Sequence, residues 1–365
     1  MSENRLPLVR RLLESAVDAG LAPGFVAGWI RAGEASASIV AMGDAVVGCP
    51  PTPATPATWF DLASLTKPLV VGTSSLLALR AGELSLDATV AEVLPETRGR
   101  ELADRTVRQL LTHTSGLPAW APIYALGRRD RSSIIESLCG LPVGEAGTHV
   151  VYSCPGFILL GMILERVTGA SLDRLFADRV LFPLGLEEQL AFRPDAGRPL
   201  AGGARSPDTE RSLVIERKLD PSRIPPVAAA EPDDGNARFL GGVAGNAGLF
   251  GTAAGVLGLT GVYLEGATLL TTRERALATA DHTPGLEQAR GLAWQLARSP
   301  GCSGGPALAS TAFGHTGFTG TSVWVDPTRE LAMTLLANRV HPGHRETDLH
   351  PLRRRFHRLV VDELS

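Results

Sequence analysis

Lysine is almost missing from this sequence. Of 35 basic residues in a chain of 365, only Lys67 and Lys218 are lysines, and arginine serves nearly everywhere else. There is no excess of positive charge either. The net charge is −3, so the electrostatic footprint of a nucleic-acid binder is lacking. The four cysteines, Cys49, Cys139, Cys154 and Cys302, are scattered without a Cys-x-x-Cys pair. Free thiols are expected rather than disulfides. No apolar run reaches the length that spans a bilayer. The stretch 1–20 carries Arg5, Arg10, Arg11, Glu14 and Asp18 where a signal peptide would be continuously apolar. These absences predict a cytoplasmic protein with neither nucleic acid nor membrane as partner. No internal repeat and no glycine-rich nucleotide loop after a strand is present.

What remains describes a globular chain. Hydrophobic residues make up 44% and charged residues 20%, and the length allows a large core in two lobes. Leu8, Val9, Leu12, Leu13, Ala16 and Val17 form one apolar helical face, closed by Gly20 and Pro23. Residues 25–30 and 38–42 read as strands joined by a turn at Gly33. From about 69 to 190 the pattern is helical. Thr106 and Gln109 form a capping box, Ser133 and Glu136 another, and Gly140 and Gly169 serve as helix stops, with Ser171 capping the helix that follows. Residues 191–239 are polar and rich in Pro, Gly and Asp, and predict a long irregular segment across the face of the site. Thr252 caps another helix. Strands return at 312–316, 321–325 and 331–337. Leu349, Leu352, Phe356, Leu359 and Val360 mark a last amphipathic helix, with Arg353, Arg354, Arg355 and Arg358 expected on its solvated face. The organisation expected is a sheet lobe from 1–68 and 240–365, a helical lobe from 69–190, and the segment 191–239 over the site.

The chemistry centres on Ser64-Leu65-Thr66-Lys67-Pro68. Residues three apart share a helix face, so Lys67 can reach the Ser64 hydroxyl. Pro68 lacks an N–H and fits a helix only in its first turn, which pins the helix start near Ser64. A serine alcohol needs an adjacent base. Arginine stays charged and cannot be that base, whereas a lysine can once its pKa is shifted. In a chain that otherwise avoids lysine, this is the position where arginine would not do.

Two further pieces join it: Tyr152-Ser153-Cys154 ahead of an apolar helix, and His315-Thr316-Gly317 at the end of a predicted strand. Their order and spacing resemble the serine β-lactamase and penicillin-binding-protein superfamily, closest to its class C β-lactamase-like branch of esterases and D-peptidases. Residues 110–118 (LLTHTSGLP) and 241–250 (GGVAGNAGLF) are similar to other segments of that branch. The resemblance spans about residues 5–360 and is weakest over 191–235. It implies an α+β fold, an antiparallel sheet flanked by helices plus a mostly helical lobe, with the site in the cleft between them.

The resemblance also implies an acyl-enzyme on Ser64, with Lys67 and Tyr152 sharing the proton. The amides of Ser64 and Phe318 would form an oxyanion hole. His315, Thr316, Gly317 and Cys154 would line the substrate, and His315 would hold a substrate carboxylate or the Tyr152 proton network. Outside the constellation, His113 is expected to brace the loop, and Asn246 and Ser115 to serve packing. The partner implied is a small ester, amide or peptide-like molecule, with no metal and no cofactor; His341, His344 and His350 lie in a loop without carboxylate support.

Two departures favour esters. Cys154 stands where the family usually has Asn or Asp, and a thiol is a poor hydrogen-bonding substitute. His315 stands where the family carries Lys or His, and the absence of Lys leans away from an efficient β-lactamase by analogy. Hydrolysis by a D-peptidase, DD-carboxypeptidase or weak β-lactamase is the alternative. A fold kept as a non-catalytic binding or sensor module is a reading of another class. Gly301-Cys302-Ser303-Gly304-Gly305 matches a nucleophile elbow, but Pro300 and Pro306 flank it where a strand and a helix are needed.

Overall fold

The computed structural model describes residues 6–195, 197–203, 208–228, 230–341 and 347–364. Among the described residues ten strands, in runs of four at each end of the chain with two between, lie among the helices. They are β1 (Gly24–Arg31), β2 (Ser38–Val46), β3 (Thr52–Pro53), β4 (Phe60–Asp61), β5 (Leu190–Phe192), β6 (Leu249–Gly251), β7 (Gln295–Leu296), β8 (Phe313–Thr316), β9 (Ser322–Asp326) and β10 (Leu331–Ala337). Seven form one antiparallel sheet in the order β3-β2-β1-β10-β9-β8-β7. β4, β6 and β5 form a small second sheet that brings the segment before Ser64 against residues 249–251.

Both faces of the large sheet are covered, and the period of two along each strand sorts the side chains. Phe25, Ala27 and Trp29 of β1 and Met333 and Leu335 of β10 join Leu13 and Phe356, so this face packs on the helices Leu6–Asp18 and His350–Leu364. Val26, Ala332 and Leu336 face the other way, into a larger core with Leu65, Val70, Phe157, Leu160 and Leu257. Burying one such side chain is worth roughly 1.5–3 kcal/mol. This is the expected α+β fold with an antiparallel sheet flanked by helices. Among the described residues, no single helix is long and apolar enough to cross a membrane.

Most helix boundaries follow the capping chemistry. Thr106 and Gln109 form the expected box, and Thr252 accepts from the Gly255 amide. Four expectations are corrected. The helix Arg131–Cys139 is capped by Asp130, whose carboxylate accepts from the Ser133 amide, so its cap stands three residues ahead of Ser133. Ser171 precedes its helix but gives its hydroxyl to Asp173 instead of capping. The segment expected to be irregular carries helices Asp208–Glu216 and Gly235–Phe239. The last helix does not expose all its arginines. Arg353 is buried and donates to the carbonyls of Gly320 and Thr321, because the helix packs over the turn after β8.

Candidate active site

Ser64 lies in a tight 3-10 turn, Ala63–Leu65, that follows β4. Lys67 opens a π-helical stretch, Lys67–Gly72, before the regular helix Thr73–Arg80 begins. The helix start is where Pro68 predicted it, but its first turns are not α-helical. Ala63 holds a left-handed φ of 47°, and the Asp61 carboxylate supports that bend by accepting from the Ala63 amide at 2.8 Å. The other Asp61 oxygen accepts from the Asp233 amide at 2.7 Å. Burial pushes Asp61 up to about 7, with Asp233 and Asp234 adding to the effect against the two amide bonds.

The Ser64 turn is stitched to the end of β8 by main-chain acceptors. Thr319 donates to the Asp61 carbonyl at 2.7 Å and Thr321 to the Leu62 carbonyl at 3.1 Å. Gly317 fits between them because it has no side chain. A Cβ there would stand 2.6 Å from the Leu62 carbonyl oxygen and closer still to the Thr321 hydroxyl. This close approach brings residues 317 and 318 beside Ser64. Phe318 is half-exposed at the rim, and its carbonyl accepts from Arg339.

Lys67 is completely buried, and its ammonium has three acceptors: Ser64 Oγ at 3.0 Å, the Asn246 carbonyl at 2.9 Å and Cys154 Sγ at 3.5 Å. It also lies 4.8 Å from the centre of the Tyr152 ring. Tyr152 is held between His113 and His315, with ring centres 4.7 and 5.8 Å away. Ser153 caps the helix Cys154–Thr168 by accepting from the Gly156 amide, and this places Cys154 at the helix start facing Lys67.

Three titratable groups therefore share one site. Burial pushes Lys67 down, the Cys154 thiol and the Tyr152 phenol pull it up, and the net direction is up. Burial raises Tyr152 and Cys154, against the opposing pull of Lys67. The upward pull on Lys67 exists only where thiol or phenol is ionised, and both are reluctant to ionise. The trio behaves as one coupled acid whose resting form holds its protons.

His315 is buried, and burial with the nearby charges of Lys67 and Arg290 pushes it down to about 3. Its Nδ1 lies 2.8 Å from the Thr316 carbonyl, so Nδ1 carries the proton and Nε2 is a bare acceptor. At neutral pH this imidazole is uncharged and cannot attract a carboxylate by charge. His113 is also neutral, pushed down chiefly by burial. Its Nδ1 accepts from the Ser153 amide at 2.9 Å, and its ring packs against Tyr152 and Phe157.

Ser64 and Phe318 divide the cleft. On one side is a cavity of about 610 Å³ reached by Tyr152, Arg290, His315, Thr316 and Gly317. On the other is a smaller one of about 220 Å³ walled by Trp120, Cys154, Leu213, Glu210 and Asp234. Burial, with Asp234 beside it, pushes Glu210 up to about 7.

All eight candidate residues, Ser64, Lys67, Tyr152, Cys154, His315, Thr316, Gly317 and Phe318, lie around this cleft. Sequence reasoning missed Asp61, Glu210, Arg290 and the Asn246 carbonyl. Asp61 had a signal, a short polar residue two positions ahead of a bend; a main-chain acceptor such as that of Asn246 leaves none. The alternative nucleophile Ser303 is buried, accepts from the Trp324 indole at 3.2 Å and lines neither of these cavities. The His341 ring is committed to the Val47 amide and the Gly203 carbonyl, and His344 lies outside the described residues.

Known proteins resemble this chain in sequence and fold. The family model described as Beta-lactamase matches residues 9–357. The chain is 29% identical over 309 residues to an N-acetylmuramyl-L-alanine amidase of Bacillus subtilis (strain 168), covering 78% of this chain and 68% of that one. It is 27% identical over 329 residues to a putative D-alanyl-D-alanine carboxypeptidase of Escherichia coli (strain K12), covering 80% and 71%. Among solved structures, a class C beta-lactamase shares the fold with a TM-score of 0.76 at 22% identity, over 100% of this chain and 97% of that one. EstCE1, described as a hydrolase with promiscuous acyltransferase activity, shares it with a TM-score of 0.72 at 22% identity, over 98% and 99%.

Proposed function

The chain belongs to the beta-lactamase family of serine hydrolases, and we propose that within it this protein hydrolyses small esters through an acyl-enzyme on Ser64. The observation that carries this reading is the 3.0 Å contact between a fully buried Lys67 amine and the Ser64 hydroxyl. In the proposed reaction Ser64 Oγ attacks the ester carbonyl while its proton passes to the Lys67–Tyr152 pair. The charge that develops on the carbonyl oxygen falls between the amides of Ser64 and Phe318. The pair returns a proton to the departing alcohol, and water then cleaves the acyl-enzyme by the same route.

Cys154 favours esters over amides. An alkoxide leaves with less help from a proton donor than an amine does, and the thiol is a weak partner for a substrate amide. Two of the relatives are named as an amidase and a carboxypeptidase, so amides belong in the test. A fluorophosphonate probe, followed by intact mass and peptide mapping, should add once, at Ser64, and Ser64→Ala should abolish the adduct. p-Nitrophenyl esters should turn over faster than D-amino-acid amides or nitrocefin. Absence of both adduct and ester turnover would overturn the proposal.

The coupled trio sets a pH dependence. The resting form must lose a proton before it can accept one from Ser64, and the raised values of Tyr152 and Cys154 place that loss above neutrality. kcat/KM for a neutral ester should therefore rise as pH increases past 7. Once the pH is high enough to ionise the thiol, its negative charge holds the Lys67 proton, and Cys154→Ala removes that hold, so the rising limb should move to lower pH. A pH–rate profile that stays put or shifts upward in the variant contradicts this coupling.

A further inference from the structure

We propose that Asp61 is a positioning residue: its carboxylate aims the Ser64 turn and clasps that turn to the wall of the smaller cavity, and turnover falls when the carboxylate takes up a proton. The inference rests on the hydrolase reading above and adds to it a group that touches neither the substrate nor the reacting atoms.

The two oxygens of Asp61 serve segments far apart in sequence. One accepts from the Ala63 amide at 2.8 Å, the other from the Asp233 amide at 2.7 Å. Ala63 immediately precedes Ser64. Its φ of 47° is a left-handed conformation that a residue with a side chain keeps only where its surroundings impose it. Asp233 adjoins Asp234, the cap of the helix Gly235–Phe239, and both acids line the smaller cavity with Glu210. Glu210 is fixed to the same segment through the Gly235 amide and Arg238. One carboxylate thus joins the approach to Ser64 with the far wall of the space beside it.

Only the ionised group does this fully. Both oxygens of a carboxylate are acceptors, and an amide bonds a charged oxygen more strongly than a neutral one. Once protonated, one oxygen carries hydrogen, and one of the two amides is left with a weak partner. Among the described residues no cation forms an ion pair with Asp61 to prevent this. Asp233 and Asp234 face it from the 231–235 segment, and Arg238 is turned to the carbonyls of Pro232 and Asp233. Glu231 and His341 line a third cavity, of about 410 Å³, that Asp61 borders. β6, paired to Asp61 through Phe250, brings no charge, and Thr319 brings a hydroxyl to the Asp61 carbonyl. Burial, reinforced by the two neighbouring acids, therefore sets the change of state at about 7.

The test follows the ratio of wild type to Asp61→Asn in kcat/KM for phenyl acetate, from about pH 5.5 to about 9, a range that spans the ionisation. Asparagine has the shape of the protonated acid, with one carbonyl oxygen and a donor in place of the other. Both chains keep Lys67, Tyr152 and Cys154, so the limb set by that trio cancels in the ratio. The ratio should be about tenfold or more at the alkaline end, the scale of a lost positioning contact, and approach one at the acid end. A ratio that stays constant with pH, whatever its size, marks a merely structural residue and overturns the proposal. Hydrogen exchange of the wild-type chain, read by mass spectrometry and corrected for intrinsic rates, needs neither a variant nor turnover. Peptides covering Ala63 and Asp233 should both lose protection, by about fivefold or more, between the alkaline and acid ends, while the Thr106–Gln109 box should not. Unchanged protection at either segment refutes the clasp. If no probe labels Ser64 and phenyl acetate is not cleaved, the hydrolase reading fails, and the exchange still decides on Asp61.

Discussion

Lys67→Arg should lose nearly all ester turnover, with kcat falling about 10²–10⁴-fold, the range attributed to a positioned proton-transfer group. The substitution preserves charge and removes only the ability to give up a proton, because a guanidinium does not deprotonate in proteins. Lys67→Met should fall by a similar factor for the opposite reason, having neither charge nor base. The pair separates two roles. If Lys67 merely supplied positive charge near Ser64, arginine would retain much of the rate. The replacement also has to fit a completely buried site where the amine meets Ser64, Asn246 and Cys154 at once. Thermal unfolding and near-ultraviolet circular dichroism should accompany the kinetics. A folded Lys67→Arg protein with wild-type kcat would remove Lys67 from the proposed mechanism.

Gly317→Ala should cost kcat about 10²–10³-fold, comparable to losing an oxyanion donor. The strand is not the weak point, since its hydrogen bonds are main-chain and alanine tolerates extended backbone. The conflict is with the Leu62 carbonyl, 2.6 Å from the new methyl, and with the Thr321 hydroxyl that bonds to that carbonyl. Relief requires β8 and the Ser64 turn to part, which widens the gap between the Ser64 and Phe318 amides. KM should change less than kcat, because the oxyanion forms only in the transition state. Steady-state kinetics on one ester decides this, and equal kcat in a folded variant would argue against an oxyanion hole at this junction.

Much of this was legible from residue order. The strands at 25–30 and 331–337, the Thr106–Gln109 box, the Gly169 stop and the constraint that Pro68 puts on Ser64 and Lys67 follow local rules that the fold obeys. Two misreadings were local, where Asp130 took the cap expected of Ser133 and Asp173 took the Ser171 hydroxyl; the other two occurred where a distant partner overrode a local rule. Arg353 looked like a solvated helix residue until the turn at 320–321 was folded over it. The 191–239 segment looked irregular by composition, yet Glu210 of its helix pairs with Arg238 and accepts from the Gly235 amide. Arg290 drew no notice because one arginine among many resembles any other; its burial, with a neutral amide as its side-chain partner, appears only in the fold.

The central pairing of the large sheet joins residues about as far apart as this chain allows: Phe25 lies opposite Ala337 and Arg31 opposite Leu331. During synthesis, β1 and β2 leave the ribosome long before β10, which pairs with the other edge of β1, has been translated. Closing so long a span costs entropy before any contact repays it, and such topologies fold slowly. For most of its time on the ribosome the nascent chain therefore presents an apolar strand edge, Phe25 to Ile30, of the kind that recruits chaperones or neighbouring chains.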